Sequence, residues 1–226
     1  MLPDPDGDVC MRDIKGAIFD LDGTLFDSMN MWNSIAEDYL KSRGIKPDED
    51  VREAVRAMSI QQVCEHFCSA YGLTLSQEDI AAGINEMVED FYFHRVTLKD
   101  GAAEALKRLK SRGVKMCVAT ATDRYLVEAG LRRTGISEYF DRIFTCTEAG
   151  AGKDEPDIFL QALNSLGTDI KETVVFEDAL YAVRTAKAAG FPVAAFYDES
   201  ARHQQDEIRK LADWYFTSFT EWNDCY

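Results

Sequence analysis

The 226-residue chain has no apolar run long enough to span a membrane. It has no surplus of basic residues either. Lys and Arg number 25 against 40 Asp and Glu, a formal net charge of −15. That balance argues against a nucleic-acid backbone or an anionic membrane as a general partner, and leaves only a locally basic pocket for a small anion. None of the six cysteines, Cys10, Cys64, Cys68, Cys117, Cys146 and Cys225, forms a Cys-x-x-Cys pair, and their spacings suggest no zinc site. A reduced, cytoplasmic compartment is expected. The opening stretch, residues 1–13, is acidic and holds Pro3 and Pro5. It has neither the charge nor the apolar stretch of a signal peptide and reads as a loose leader. There is no internal repeat and no low-complexity segment.

What is present is a core-forming composition, 46% hydrophobic, of a length suited to one domain or a core with a small insert. Apolar runs alternate with amphipathic ones. Strands are expected at 14–19, 114–120, near 142–146, at 173–176 and at 193–196, with a last extended piece at 214–217. Helices are expected near 123–134, 157–166 and 179–189, with Gly113, Gly135, Gly167 and Gly190 at or near helix ends. Such alternation argues for an α/β parallel sheet.

The stretch from 27 to 97 breaks the pattern and reads as helices only. Trp32, Ile35, Ala36, Tyr39 and Leu40 fall at helical spacing and stop at Gly44. Ile60, Val63, Cys64, Phe67, Cys68 and Tyr71 form a second stripe, with Ser59 as its N-cap and Gly72 as its stop. Ile80, Ile84, Val88 and Phe91 form a third, opened by Ser76 with Asp79 three residues on. The expected organisation is a leader at 1–13, an α/β core from 14–26 and 98–226, and a small all-helical domain at 27–97 inserted after the first strand.

The run Phe19-Asp20-Leu21-Asp22-Gly23-Thr24 ends the first strand. If the strand period of two persists, it places two carboxylates on one side at the carboxyl end of a buried strand. Carboxylates there need a cation, and a hard cation with oxygen ligands suits them. The plain alternative is an acidic turn in which Asp20 or Asp22 caps the next helix.

Asp20-Leu21-Asp22-Gly23-Thr24 resembles the first motif of the haloacid dehalogenase superfamily of phosphotransferases. Three further motifs follow in the family's order: Thr120 ending the strand 114–120, Lys153 ahead of Pro156-Asp157, and Glu177-Asp178 ending the strand 173–176. The resemblance spans about residues 14–217. Taken singly, Thr120 reads as an ordinary strand-ending threonine, Lys153 as a solvated loop lysine, and Glu177-Asp178 as a cap for the helix beginning near Ala179. The joint order overrides these readings. The chain departs from the family's Lys-Pro-x-Pro-Asp in carrying Asp154 and Glu155, and has Ala179 and Val183 where many relatives have Ser and Gly.

The resemblance implies a Rossmann-like sheet with the first strand between the second and fourth, and a helical cap. The two chain crossings near 24–28 and 95–101 lead to the expectation that this cap opens for exchange and closes against bulk water. It implies Asp20 as nucleophile, forming an aspartyl-phosphate, and Asp22 as general acid and then base. Mg²⁺ would be held by Asp20, the backbone carbonyl of Asp22 and Asp178, with Glu177 binding directly or through water. Thr120 would donate to a phosphoryl oxygen and Lys153 would balance charge. In the loop after Thr120, the Ala121 amide, Thr122 and Arg124 are candidate substrate contacts, Arg124 being equally well a solvent-facing helix residue.

The second aspartate argues against the dehalogenase and phosphonate-cleaving branches. The β-phosphoglucomutase-like branch carries a His and a cap Arg where this chain has Trp32 and Ile60 or Gln61, with Arg56 nearby as a substitute. Thr24 is also the residue typical of phosphatases. The expectation is a monomeric Mg²⁺-dependent phosphatase acting on a small, sugar-phosphate-like monoester. The alternatives are a sugar-phosphate mutase or a catalytically silent phosphate-binding protein. Trp32 and Met31 are candidates for an apolar wall; His66 and His94 receive no role.

Overall fold

The computed structural model of the chain describes residues 13–55 and 60–225. Most of the leader, with Cys10, and the positions Arg56 and Ser59 lie outside the described residues. The chain divides into two compact units, one comprising residues up to Asp27 and from Val96 onward, the other Ser28–Arg95.

The first unit opens with β1 (Gly16–Phe19), whose four residues are all buried. The helical unit follows with α1 (Met29–Ser42), α2 (Val51–Val55), α3 (Ile60–Tyr71) and α4 (Gln77–Asp90), ending in one wide turn over Phe91–Arg95. Its core is formed by Ala36, Tyr39 and Leu40 of α1, Val51 of α2, Val63, Cys64 and Phe67 of α3, and Ile80 and Ile84 of α4. These are the apolar stripes of the sequence, buried because each helix offers one face to the others. Ser76 caps α4 by accepting from the Asp79 amide at 3.1 Å. Phe91 falls in the wide turn rather than on the α4 stripe.

The chain re-enters the first unit through α5 (Ala102–Ser111), then β2 (Lys115–Thr120), α6 (Arg124–Thr134), β3 (Arg142–Thr145) and a one-turn helix α7 (Cys146–Ala149). After these come α8 (Asp157–Leu166), β4 (Thr173–Glu177), α9 (Leu180–Ala188), β5 (Val193–Phe196), α10 (Gln205–Leu211), β6 (Trp214–Phe216) and α11 (Phe219–Cys225). All strand pairs are parallel, in the order β3-β2-β1-β4-β5-β6. The fold is thus an α/β Rossmann-like sheet, and β1 lies between β2 and β4 as expected. Near-continuous apolar strands are what a sheet covered on both faces demands.

The expected 142–146 strand is one residue shorter. The Thr145 side chain accepts from the Glu148 amide at 3.3 Å and so starts α7 at Cys146. This is the Ser/Thr-x-x-Glu capping signal. Among the described residues no helix is long and apolar enough to cross a membrane.

Two features of the sheet position the site. From β1 the chain builds β2 and β3 on one side, then returns to build β4 to β6 on the other, so the carboxyl end of β1 is a topological switch point. Registers are also tight: Phe19 is paired with Val118 on one side and Phe176 on the other. The Phe19 and Phe176 rings stack at 4.2 Å between centroids. Asp20 and Glu177, one residue beyond Phe19 and Phe176, and Thr120, two beyond Val118, therefore emerge at one edge.

Candidate active site

The Asp20 amide donates to the Phe176 carbonyl at 3.0 Å, extending the ladder one residue past β1. Its carboxylate is buried. Lys153 Nζ bonds Asp20 Oδ1 and, at 2.7 Å, Glu177 Oε1. Lys153 itself is only 3% exposed, which disposes of the solvated-loop reading. Glu177 Oε2 accepts from the backbone amides of Asp178 at 2.9 Å and Ala179 at 3.1 Å. Glu177, not Asp178, therefore satisfies the amides ahead of α9, where Ala179 makes no side-chain cap. Asp178 is buried, and its Oδ1 accepts from the Thr24 hydroxyl at 3.1 Å. Carboxylate oxygens of Asp20, Glu177 and Asp178 all lie within 4.8 Å of one another.

Gly23 explains how the acidic loop comes so close. Its φ is +96°, a left-handed conformation, and a Cβ on it would collide with the Asp178 carboxylate. Only glycine fits both demands. Asp22 has a different partner: its Oδ2 accepts from the Thr122 hydroxyl at 2.7 Å. The two aspartates at i and i+2 thus have different partners, Lys153 for Asp20 and Thr122 for Asp22, since the strand has already ended at Phe19. Thr120 is buried, and its Oγ1 accepts from the Thr122 amide at 3.1 Å, which leaves its O–H to donate elsewhere.

Burial presses hard on this cluster. It raises the Asp20 carboxyl to about 7, with Glu177 and Asp22 adding repulsion and Lys153 opposing. Burial likewise holds the Asp178 carboxyl well above the usual range, reinforced by Asp20, Glu177 and Asp198. Burial alone would lower the Lys153 ammonium, but Asp20 and Glu177 outweigh it and hold it above its ordinary value. One ammonium thus faces three carboxylates. Asp20 Oδ2 is buried and has no hydrogen-bond partner. An orphaned carboxylate oxygen beside two more carboxylates is what a hard divalent cation with oxygen ligands would complete. The residues fit such an ion.

The remaining sequence candidates are placed as follows. Ala121 is exposed in the loop between Thr120 and Thr122. Arg124 is the first residue of α6. Its guanidinium bonds Glu148 at 2.5 and 2.6 Å and donates to the Ile143 carbonyl at 2.8 Å, so the structure ties it to β3 and α7. In the helical unit, Trp32 donates its indole N–H to the Tyr92 hydroxyl at 3.1 Å. Met31 is half-buried there, His66 lies against Tyr71 and His94 is exposed. Sequence reasoning missed Tyr181, a half-exposed ring one turn after Asp178 whose hydroxyl burial and Glu177 hold well above its usual value. It also missed the Lys99–Asp198 ion pair. No motif spacing announces either.

The haloacid dehalogenase-like hydrolase model matches residues 14–190. The chain belongs to that family. It is a hydrolase, and relatives with named activities include several phosphatases. It is 27% identical to the phosphorylated carbohydrates phosphatase of Thermotoga maritima, covering 78% of this chain and 82% of that one. It is 30% identical to hexitol phosphatase A of Escherichia coli, covering 80% and 82%. CbbY of Rhodobacter sphaeroides, crystallised with phosphate, superposes with a TM-score of 0.74 at 27% identity, over 92% of this chain and 96% of that one.

Proposed function

We propose that the chain is a Mg²⁺-dependent phosphatase that hydrolyses a small, sugar-like phosphomonoester through an aspartyl-phosphate. The observation that carries this is the unpartnered, buried Asp20 Oδ2 within the cluster of Asp20, Glu177 and Asp178. Sugar- and polyol-type substrates in the names of relatives support the substrate class.

Asp20, Asp178 and the backbone carbonyl of Asp22 would hold the ion. Glu177, its oxygens engaged by Lys153 and two amides, chiefly fixes Lys153. Bound Mg²⁺ supplies positive charge against the phosphoryl oxygens and the nucleophile, so that two anions can approach. Asp20 attacks phosphorus as the ester oxygen leaves, and Asp22 gives that oxygen its proton. Asp22 then takes a proton from water as the water oxygen attacks phosphorus, which frees the Asp20 carboxylate and releases phosphate. The Thr122 hydroxyl holds Asp22 in place between these transfers. The Thr120 hydroxyl, its oxygen already accepting from Thr122, donates to a phosphoryl oxygen. Lys153 stays protonated and stabilises charge on the transferring group. The helical unit, Ser28–Arg95, would be the cap domain.

Two observations favour a phosphatase over a mutase. Thr24 spends its hydroxyl on Asp178, and Trp32, at the place of the mutases' His, spends its N–H on Tyr92. The test is p-nitrophenyl phosphate hydrolysis with and without Mg²⁺, wild type beside Asp20→Asn. Mg²⁺-dependent turnover that vanishes in the variant is expected. Phosphohexose isomerisation primed by a bisphosphate, without net hydrolysis, would show a mutase instead. Ligand binding with neither activity would show a binding protein.

A further inference from the structure

We propose that Lys99 and Asp198 form a clamp that positions Asp178 for metal binding. Lys99 Nζ and Asp198 Oδ2 are 2.5 Å apart, and the side chains are only 19% and 7% exposed. This inference rests on the metal reading above.

The clamp closes a ring of contacts within the core unit. Asp198 follows β5, and Asp178 follows the neighbouring β4, whose Glu177 is paired with Ala195. Both acids therefore emerge at the same sheet edge, and Asp198 belongs to the charge surroundings of Asp178. Asp178 is held by the Thr24 hydroxyl. The next residue, Leu25, accepts at its carbonyl from the Lys99 amide at 2.9 Å. Phe26 and Leu98 form an antiparallel bridge, and the Asp27 amide donates to the Thr97 carbonyl at 3.0 Å. Residues 24–27 and 97–99 thus make a two-stranded antiparallel strap, with Thr24 and Lys99 at the same end of it.

The strap is tied to the end of β5 by side-chain bonds. Lys99 Nζ supplies them, one to Asp198 and a longer one of 3.4 Å to the Tyr197 carbonyl. Asp198 is itself held on the side away from Lys99. Its Oδ1 accepts from the Ser200 amide at 2.8 Å, its carbonyl accepts from Gln205 at 3.1 Å, and Gln205 is fixed by the Tyr215 hydroxyl at 2.7 Å. An ion pair built this rigidly at one end acts as an anchor. Releasing it lets the strap shift, and with it the Thr24 bond and the Gly23 contact that aim the Asp178 carboxylate. Lys99 and Asp198 touch no reacting group, so both are positioning residues.

Mg²⁺ titration of the full-length protein by calorimetry, with thermal melting alongside, tests this. A clamp acts through geometry and is blind to the sign of the charge removed. Lys99→Met and Asp198→Asn should each weaken Mg²⁺ binding by about tenfold, the range for partners outside the ligand sphere. The charge-neutral double variant should be no worse than either single one, and Lys99→Arg should stay within about twofold of wild type. At saturating Mg²⁺, kcat should be nearly unchanged. Opposite shifts in the two single variants, tighter for Lys99→Met and weaker for Asp198→Asn, would mean a purely electrostatic effect and overturn the clamp. So would a lower melting temperature with unchanged Mg²⁺ affinity, the mark of a merely structural pair. Should Lys99→Met not fold, the double variant, which buries no lone charge, decides: unaltered affinity overturns the proposal. Wild-type protein that binds no Mg²⁺ would overturn the metal reading and the clamp together, whereas normal wild-type binding with unmoved variants would overturn the clamp alone.

Discussion

Replacing Lys153 by methionine keeps the length of the side chain and removes the one ammonium from the acidic cluster. Its neighbours cannot escape into water: the side chains of Lys153, Asp20 and Glu177 are 2%, 9% and 1% exposed. Removing one partner of a buried ion pair leaves an uncompensated charge and costs about 3–5 kcal/mol. At about 2–4 °C per kcal/mol for a chain of this size, the melting temperature in EDTA should fall by roughly 6–20 °C. The loss should also depend on pH, because without Lys153 the carboxyls are pushed further above their unfolded values. A carboxyl whose folded value is raised contributes stability that is present below its unfolded value of 3.8 and lost as pH rises through the folded one. The deficit at pH 8 should therefore exceed that at pH 5, where Asp20 is protonated. Mg²⁺ should narrow the stability gap by restoring positive charge, yet leave activity down by about 10²-fold or more, since Lys153 also faces the transferring group. Differential scanning calorimetry at both pH values, with EDTA and with Mg²⁺, measures each part. A drop below about 3 °C, equal at the two pH values, would refute the reasoning.

Three further outcomes follow from the same geometry. Asp20→Asn should abolish turnover while raising the melting temperature of the metal-free protein at pH 8, because it removes the carboxylate whose value burial lifts to about 7; an unchanged melting temperature would count against that burial. Gly23→Ala must adopt a φ near +96° and push a Cβ into the Asp178 carboxylate, so Mg²⁺ affinity measured by titration should fall at least about tenfold, with a stability loss of more than about 1 kcal/mol. Arg124→Ala breaks half-exposed bonds to Glu148 and the Ile143 carbonyl, so it should cost under about 1 kcal/mol and leave KM for p-nitrophenyl phosphate unmoved; a severalfold rise in KM would return Arg124 to the substrate site.

The sheet was legible because its strands are short apolar runs closed by chemistry that stops them, as Val174-Val175-Phe176 is by Glu177-Asp178. The order of the strands was not: nothing in the spacing says that β1 lies between β2 and β4, and only the family resemblance supplied it. The cluster's membership could be proposed from motif order, while its wiring could not. That Lys153 is shared by Asp20 and Glu177, and that Glu177 rather than Asp178 satisfies the amides before α9, depends on rotamers the sequence does not encode at its own scale. The period-of-two argument for Asp20 and Asp22 missed their separate partners because the strand ends one residue before Asp20. Arg124 illustrates a different limit. Its place after Thr120 suggested a substrate contact, but Glu148 lies 24 residues away in sequence, and only the fold brings the two together. Lys99 and Asp198 are 99 residues apart and belong to no motif at all.

The arrangement at the switch point carries its own energetic logic. When Asp20, Glu177 and Asp178 are all ionised, Lys153 leaves an excess of two negative charges in a buried site. The metal-free core can relieve that excess only by taking up protons, which is the meaning of the raised Asp20 and Asp178 carboxyls. A divalent cation removes the excess and displaces those protons, so its stabilisation must grow with pH across the range in which Asp20 titrates. The Lys99–Asp198 pair carries no net charge and so leaves the excess of this cluster at two. Mg²⁺-induced gain in melting temperature should therefore be larger at pH 8 than at pH 5 in wild type, and the same pH trend should persist in Lys99→Arg. A gain independent of pH would mean that the ion does not bind at the buried carboxylates, and the site would have to be sought elsewhere.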